Sequence, residues 1–161
     1  MWKFLVISLI SLLLCNFPAE ARAERKPRSP DEAIALVQKA IVFLHEHGRE
    51  RTLAEINNPK GVLVDGELYL FAFNLNGDGI TKANTMFPAL VGKNLLDMRD
   101  PDGIYIIKRF LDVANSKSGK GWVDYKWPSA TSGKFVELKT SYIERAEDLL
   151  FGCGIPKAWV R

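Results

Sequence analysis

Leu68-Tyr69-Leu70-Phe71-Ala72-Phe73 is apolar at every position and aromatic at every second one. Side chains of a strand alternate between the two faces of a sheet, so this run predicts a strand buried on both sides. The chain therefore has to supply cover on each side. Ser29-Pro30-Asp31-Glu32 provides the start of one layer. Ser29 can cap a helix, Pro30 suits its first position, and Glu32 can reach back to complete a capping box. Ile34, Val37, Ile41 and Leu44 then recur at helical steps on one stripe. Gly48 marks a break, Arg49 to Ile56 continues helically, and Asn57-Asn58-Pro59 stops the helix.

Downstream, a turn around Asp65-Gly66 leads into the aromatic strand, Asn74 to Gly79 forms the next turn, and Ile80 begins a partner strand. The segment from Asn84 to Asp102 carries Pro88, Gly92 and Pro101 and is expected to be irregular. Ile104, Ile107, Leu111 and Ala114 return to helical spacing. Trp122–Trp127, Phe135–Arg145 and Leu149–Ile155 read as three antiparallel strands, with Pro128–Gly133 as a hairpin loop. The expected fold is α+β, with a long N-terminal helix and a meander of about five antiparallel strands.

Ahead of this domain, Lys3 is followed by an apolar run from Phe4 to Leu14, a break at Pro18 and small residues at Ala21-Arg22-Ala23. That order predicts a signal peptide over residues 1–23. The run is too short to span a bilayer, and Leu14 before Cys15 does not suit lipoprotein processing. Residues 24–29 then form a flexible leader and 30–161 a single domain, periplasmic or secreted, with no membrane anchor after cleavage. Cys15 leaves with the signal, so Cys153 is expected as a lone buried thiol. With 22 basic against 19 acidic side chains, the charge predicts neither nucleic-acid binding nor a strong membrane patch.

Candidate catalytic and metal motifs are weak. Asn74-Leu75-Asn76-Gly77-Asp78-Gly79 imitates the start of a calcium loop but places Asn74 and Thr85 where carboxylates are required. Ser116-Lys117-Ser118-Gly119-Lys120-Gly121 lacks the first glycine of a phosphate loop and precedes a strand. His45 and His47 point apart on a helix and cannot share a metal. No nucleophile has an evident base, so neither an enzyme nor a cofactor is expected. Gly121-Trp122-Val123-Asp124-Tyr125-Lys126-Trp127-Pro128 stands out instead. Val123, Tyr125 and Trp127 share one strand face, and Trp122, Asp124 and Lys126 the other. Flat aromatic surface with a polar hydrogen suits a pocket for a small polar ligand, to which Lys139 and Tyr142 could add a cation and a hydroxyl. The same residues would also serve as plain core packing.

Taken together, the segments resemble the single Cache domain family of extracytoplasmic sensors, in the class marked by W-x-x-Y-x-W-P. The matching stretches are Asn58-Pro59-Lys60-Gly61, Asp65 to Phe71, Pro88 to Leu95, Gly121 to Pro128 and Gly152-Cys153-Gly154-Ile155. The resemblance implies a PAS-like fold whose sheet carries the long helix on one face and a pocket for short organic acids on the other. It implies that Phe71, Tyr125, Trp127, Lys139 and Tyr142 contribute to that pocket. Lys139 and Tyr142 would need an intervening bulge to reach the same side. Members commonly carry His-Pro before the Pro88 loop where this chain has Asn84-Thr85, which places Asn84 at the ligand. The implied ligand is a small organic acid or an amino-acid-like metabolite. The implied route to a response is a separate membrane receptor, kinase or transporter. The alternative is a secreted interaction protein with an aromatic core and no ligand.

Overall fold

The computed structural model describes residues 28–127 and 136–159, with only the backbone described at Trp159. The expected signal peptide, the start of the leader, the Pro128–Gly133 loop and Phe135 lie outside these residues. Helix α1 spans Pro30–His47, and the capping box forms as the sequence implies. The Glu32 amide donates to Ser29 Oγ at 3.2 Å, and the Ser29 amide donates to Glu32 Oε2 at 2.6 Å. Arg28 and Ser29, expected within the leader, are held by this cap and by ion pairs from Arg28 to Glu32 and Asp65. Gly48, with φ of 78°, ends α1, and α2 runs over Arg49–Ile56. The buried stripe of α1 is Ala33, Leu36, Val37, Ala40 and Leu44, whereas Ile34 and Ile41 are only partly buried. The small side chains of Ala33 and Ala40 bring the helix close to the sheet, which turns the larger isoleucines to its flanks.

The described residues form one five-stranded antiparallel sheet in the order β2-β1-β5-β4-β3. Its strands are β1 Tyr69–Asn74, β2 Thr81–Asn84, β3 Lys120–Trp127, β4 Glu137–Ala146 and β5 Leu149–Pro156. Helix α3 covers Ile106–Ala114, so Ile104 belongs to the approach rather than the helix. The stretch between β2 and α3 is irregular apart from a 3-10 turn at Pro88–Leu90. β5 is central and buried along almost its whole length. It joins β4 through Glu147 and Asp148, with Glu147 at φ 53°.

Each face of the sheet has its own core. On one face α1 packs over Leu70, Ala72, Tyr142, Phe151, Cys153 and Ile155. On the other, α3 and the irregular segment cover Tyr69, Phe71, Phe73, Val123, Tyr125 and Ile143. The division follows from alternation along β1, whose aromatics all fall on the second face.

Candidate functional site

The second face contains a cavity whose walls come from four elements. β1 contributes Tyr69, Phe71 and Phe73, β3 contributes Tyr125 and Trp127, and α3 contributes Ile107 and Phe110. Asn84, Phe87, Leu90 and Leu95 close it from the end of β2 and the following segment. Its free volume is about 20 Å³, room for roughly one water. The rings meet edge-on or stacked: Phe71 lies on Phe110 at 5.2 Å and 18°, and Tyr125 meets Phe110 at 5.4 Å and Trp127 at 6.0 Å.

Two glycines of β5 make this wall possible. Tyr69 pairs with Gly154 and Phe71 with Gly152 across the β1–β5 ladder. Each ring lies across the bare backbone of its glycine. A Cβ at Gly152 would stand 2.2 Å from Phe71 Cζ, and one at Gly154 would stand 2.4 Å from the Tyr69 hydroxyl. The Tyr69 ring thereby reaches over β5 toward β4. There Tyr125 Oη and Ser141 Oγ share a hydrogen bond of 2.7 Å, and the Tyr69 hydroxyl lies beside Ser141 over Gly154. Burial pushes the Tyr125 phenol up to about 12 and Tyr69 well above its usual value. Both hydroxyls stay protonated at neutral pH and act as hydrogen-bonding groups rather than bases.

The charge beside these hydroxyls is Lys139, which pairs with Tyr125 across β3 and β4. Its side chain is 6% exposed, its ammonium lies 3.2 Å from Glu137 Oε1, and it sits 5.0 Å from the centroid of the Tyr69 ring. Lys139 therefore stands behind Tyr69, outside the immediate cavity wall. Asn84 lies at the cavity, 6% exposed. Its Oδ1 accepts from the Met86 and Phe87 amides at 3.1 and 2.8 Å. What it can offer a ligand is its NH₂ group.

Of the residues expected at one pocket, the structure brings together Phe71, Asn84, Tyr125 and Trp127, with Lys139 adjoining. Tyr142 is placed elsewhere. The β3–β4 register runs without a shift from Lys120↔Glu144 to Trp127↔Glu137, so no bulge turns it round. It packs in the α1 core and its hydroxyl donates to Glu144 at 2.8 Å. Trp122 shares that face, 5.4 Å from Tyr142.

Several site residues were not picked out individually from the sequence. Tyr69 and Phe73 carry the signal of alternation with Phe71. Phe110 falls on the helical stripe of Ile107 and Ala114, whereas Phe87 is an isolated aromatic with no local pattern to mark it. Asp100, next to the cavity wall, also carries no sequence signal: its Oδ1 accepts from the Asp102 and Ile104 amides, and its Oδ2 from the edge amide of Lys126. Burial alone would raise this carboxyl, but these amides and Lys126 hold it below the usual range. Asp100 thereby ties the irregular segment to β3 beside the cavity. Among the described residues no group of three or more His, Cys, Asp or Glu could hold a metal ion.

A match to the Cache domain covers residues 56–154. The chain belongs to the Cache domain family. Cache domains are extracytoplasmic sensor and ligand-binding modules, and no described helix here is long and apolar enough to cross a membrane. Among curated proteins the chain is 32% identical over 75 residues to the sensor histidine kinase MctS of Rhizobium johnstonii. That match takes in 47% of this chain but only 15% of the kinase. Among solved structures it is similar to a methyl-accepting chemotaxis protein from Vibrio parahaemolyticus, with a TM-score of 0.63 and 20% identity over 78% of this chain and 86% of that one. It is equally similar, at a TM-score of 0.63 and 22% identity, to a Cache chemosensory domain described for carboxylic acid recognition, covering 79% of this chain and 92% of that one. These structures bear out the PAS-like arrangement of helices on a five-stranded antiparallel sheet.

Proposed function

We propose that this Cache domain binds a short organic acid in the aromatic cavity and passes occupancy to receptor, kinase or transport machinery. The observation that carries the reading is the juxtaposition of the cavity with the hydroxyls of Tyr69, Tyr125 and Ser141 and the buried Lys139 ammonium. A carboxylate taken out of water needs charge-assisted hydrogen bonds, and these groups are the donors within reach of the wall. The apolar rings suit a short carbon chain. A free volume of about 20 Å³ means that the rings and the covering segment must part on binding, which favours small ligands. The carboxylic acid recognition described for the similar chemosensory domain agrees with this chemistry.

The small volume also supports a second reading, in which the aromatics simply fill the core. A thermal-shift screen of short carboxylates separates the two. A ligand at 100 times its dissociation constant adds about 2.7 kcal/mol to stability. The response should disappear in Lys139→Met while that variant still melts cooperatively. If no carboxylate raises the melting temperature of the folded protein, binding in this cavity is refuted and the core reading stands.

A further inference from the structure

Among the described residues β3 is an edge strand of the sheet. The Gly119 carbonyl accepts from the Arg145 amide of the β4 side at 2.8 Å. Odd-numbered residues of β3 therefore turn their backbone groups to β4, and even-numbered ones turn theirs outward. Two of the outward positions carry a side-chain partner, although the Lys120 carbonyl keeps a second lone pair. Ser118 Oγ donates to the Lys120 carbonyl at 2.9 Å, and Asp100 accepts from the Lys126 amide at 3.1 Å. Between them Trp122 and Asp124 turn N–H and C=O toward a groove of about 530 Å³, and among the described residues no hydrogen bond closes them. An exposed row of strand amides is a template for another strand. Trp122, the first tryptophan of the aromatic motif, faces away from the ligand cavity and is 38% exposed.

The charges along this groove are self-complementary. Lys120 lies two residues before Trp122 and Asp124 two residues after it. On the neighbouring wall Arg109 and Asp112 form a second plus–minus pair on α3. An interface between identical subunits related by a two-fold axis needs this property. We propose that the β3 edge docks a second copy of this chain in antiparallel register, with Trp122 of each copy opposite the other and Lys120 opposite Asp124. The register is set by charge: an axis through Val123 would put Lys120 opposite Lys126, and one through Asp124 would put that carboxylate opposite itself. Lys120 and Asp124 already face Glu144 and Lys157 within the chain, at 3.8 and 2.8 Å. Docking would add a counter-ion to each pair. This proposal does not depend on what the ligand cavity binds.

Sedimentation velocity across a concentration series should show a monomer–dimer equilibrium in the purified protein. Hydrogen exchange on the same series should show the Trp122 and Asp124 amides slowing as dimer accumulates. Lys120→Glu should weaken the dimer about tenfold or more, because both cross-pairs become repulsive, and adding Asp124→Lys should restore it. Trp122→Cys should form an intermolecular disulfide under mild oxidation, since directly opposed residues lie within disulfide reach. Val42→Cys, on the exposed face of α1, should not. A monomer at all concentrations overturns the proposal, as does a dimer that cross-links at residue 42 and leaves the Trp122 and Asp124 amides unprotected. The exchange measurement uses the unaltered protein, so the test stands if a variant fails to fold.

Discussion

Gly152→Ala tests the construction of the cavity with one methyl group. The added Cβ would stand 2.2 and 2.3 Å from Cζ and Cε2 of Phe71 and 2.9 Å from Cδ1 of Ile143. Phe71 has little room to retreat, because it stacks on Phe110 at 5.2 Å and meets Phe73 at 6.1 Å. Overpacking of this kind costs about 1–3 kcal/mol, and contacts this short call for the upper part of that range. Replacing glycine within a strand returns about 0.5–1 kcal/mol. The expected net loss is about 2 kcal/mol, or a fall in melting temperature of roughly 4–8 °C for a chain of this size. Thermal melts by circular dichroism, paired with urea unfolding, read it directly. Phe71→Leu removes the atoms that collide. In a double-mutant cycle the pair should therefore be about 1 kcal/mol more stable than the sum of the singles. A Gly152→Ala protein that melts at or above the parental temperature, or a cycle that is strictly additive, would refute the view that the glycine exists to seat the ring. Carboxylate binding should fall in the single variant, because the displaced ring is a cavity wall.

Asp100→Ala should destabilise the protein by about 2–3 kcal/mol at neutral pH, since two loop amides and one edge amide lose a charged acceptor. The Asp100 carboxyl is held below its ordinary 3.8 in the folded state. Its contribution is thus present above that value and lost as pH falls through the lower folded one, so urea midpoints of parent and variant should converge in acid. Tyr125→Phe should weaken carboxylate binding by about five- to thirtyfold through loss of a buried hydrogen bond. Tyr142→Phe should leave it unchanged by calorimetry, because Tyr142 faces α1; equal losses in the two would show that the cavity is misassigned. Burial pushes the Cys153 thiol up to about 12. It should resist a disulfide reagent near pH 8 in the native protein and react once unfolded, and prompt native labelling would contradict its burial.

Local chemistry determines much of this protein independently of any tertiary contact. The Ser29–Glu32 box, the break at Gly48 and the alternation along β1 and β3 each follow from interactions within a few residues, and all appear where the sequence implies. Alternation also assigned Tyr125 and Trp127 to one side and Trp122 to the other. It left Tyr142 dependent on a bulge, and only the unshifted ladder with β3 decided that it faces α1. The left-handed Glu147 carries no sequence signal, since glycine or asparagine is the usual occupant of that conformation. The same limit governs the cavity. Phe87 and Phe110 come from an irregular segment and a helix far apart in sequence. Gly152 and Gly154 announce a close approach without naming the ring that approaches. Which rings cross those glycines, and that Lys139 lies behind Tyr69, depends on β5 inserting between β1 and β4. That strand order brings distant residues together, and no local pattern of side chains encodes it.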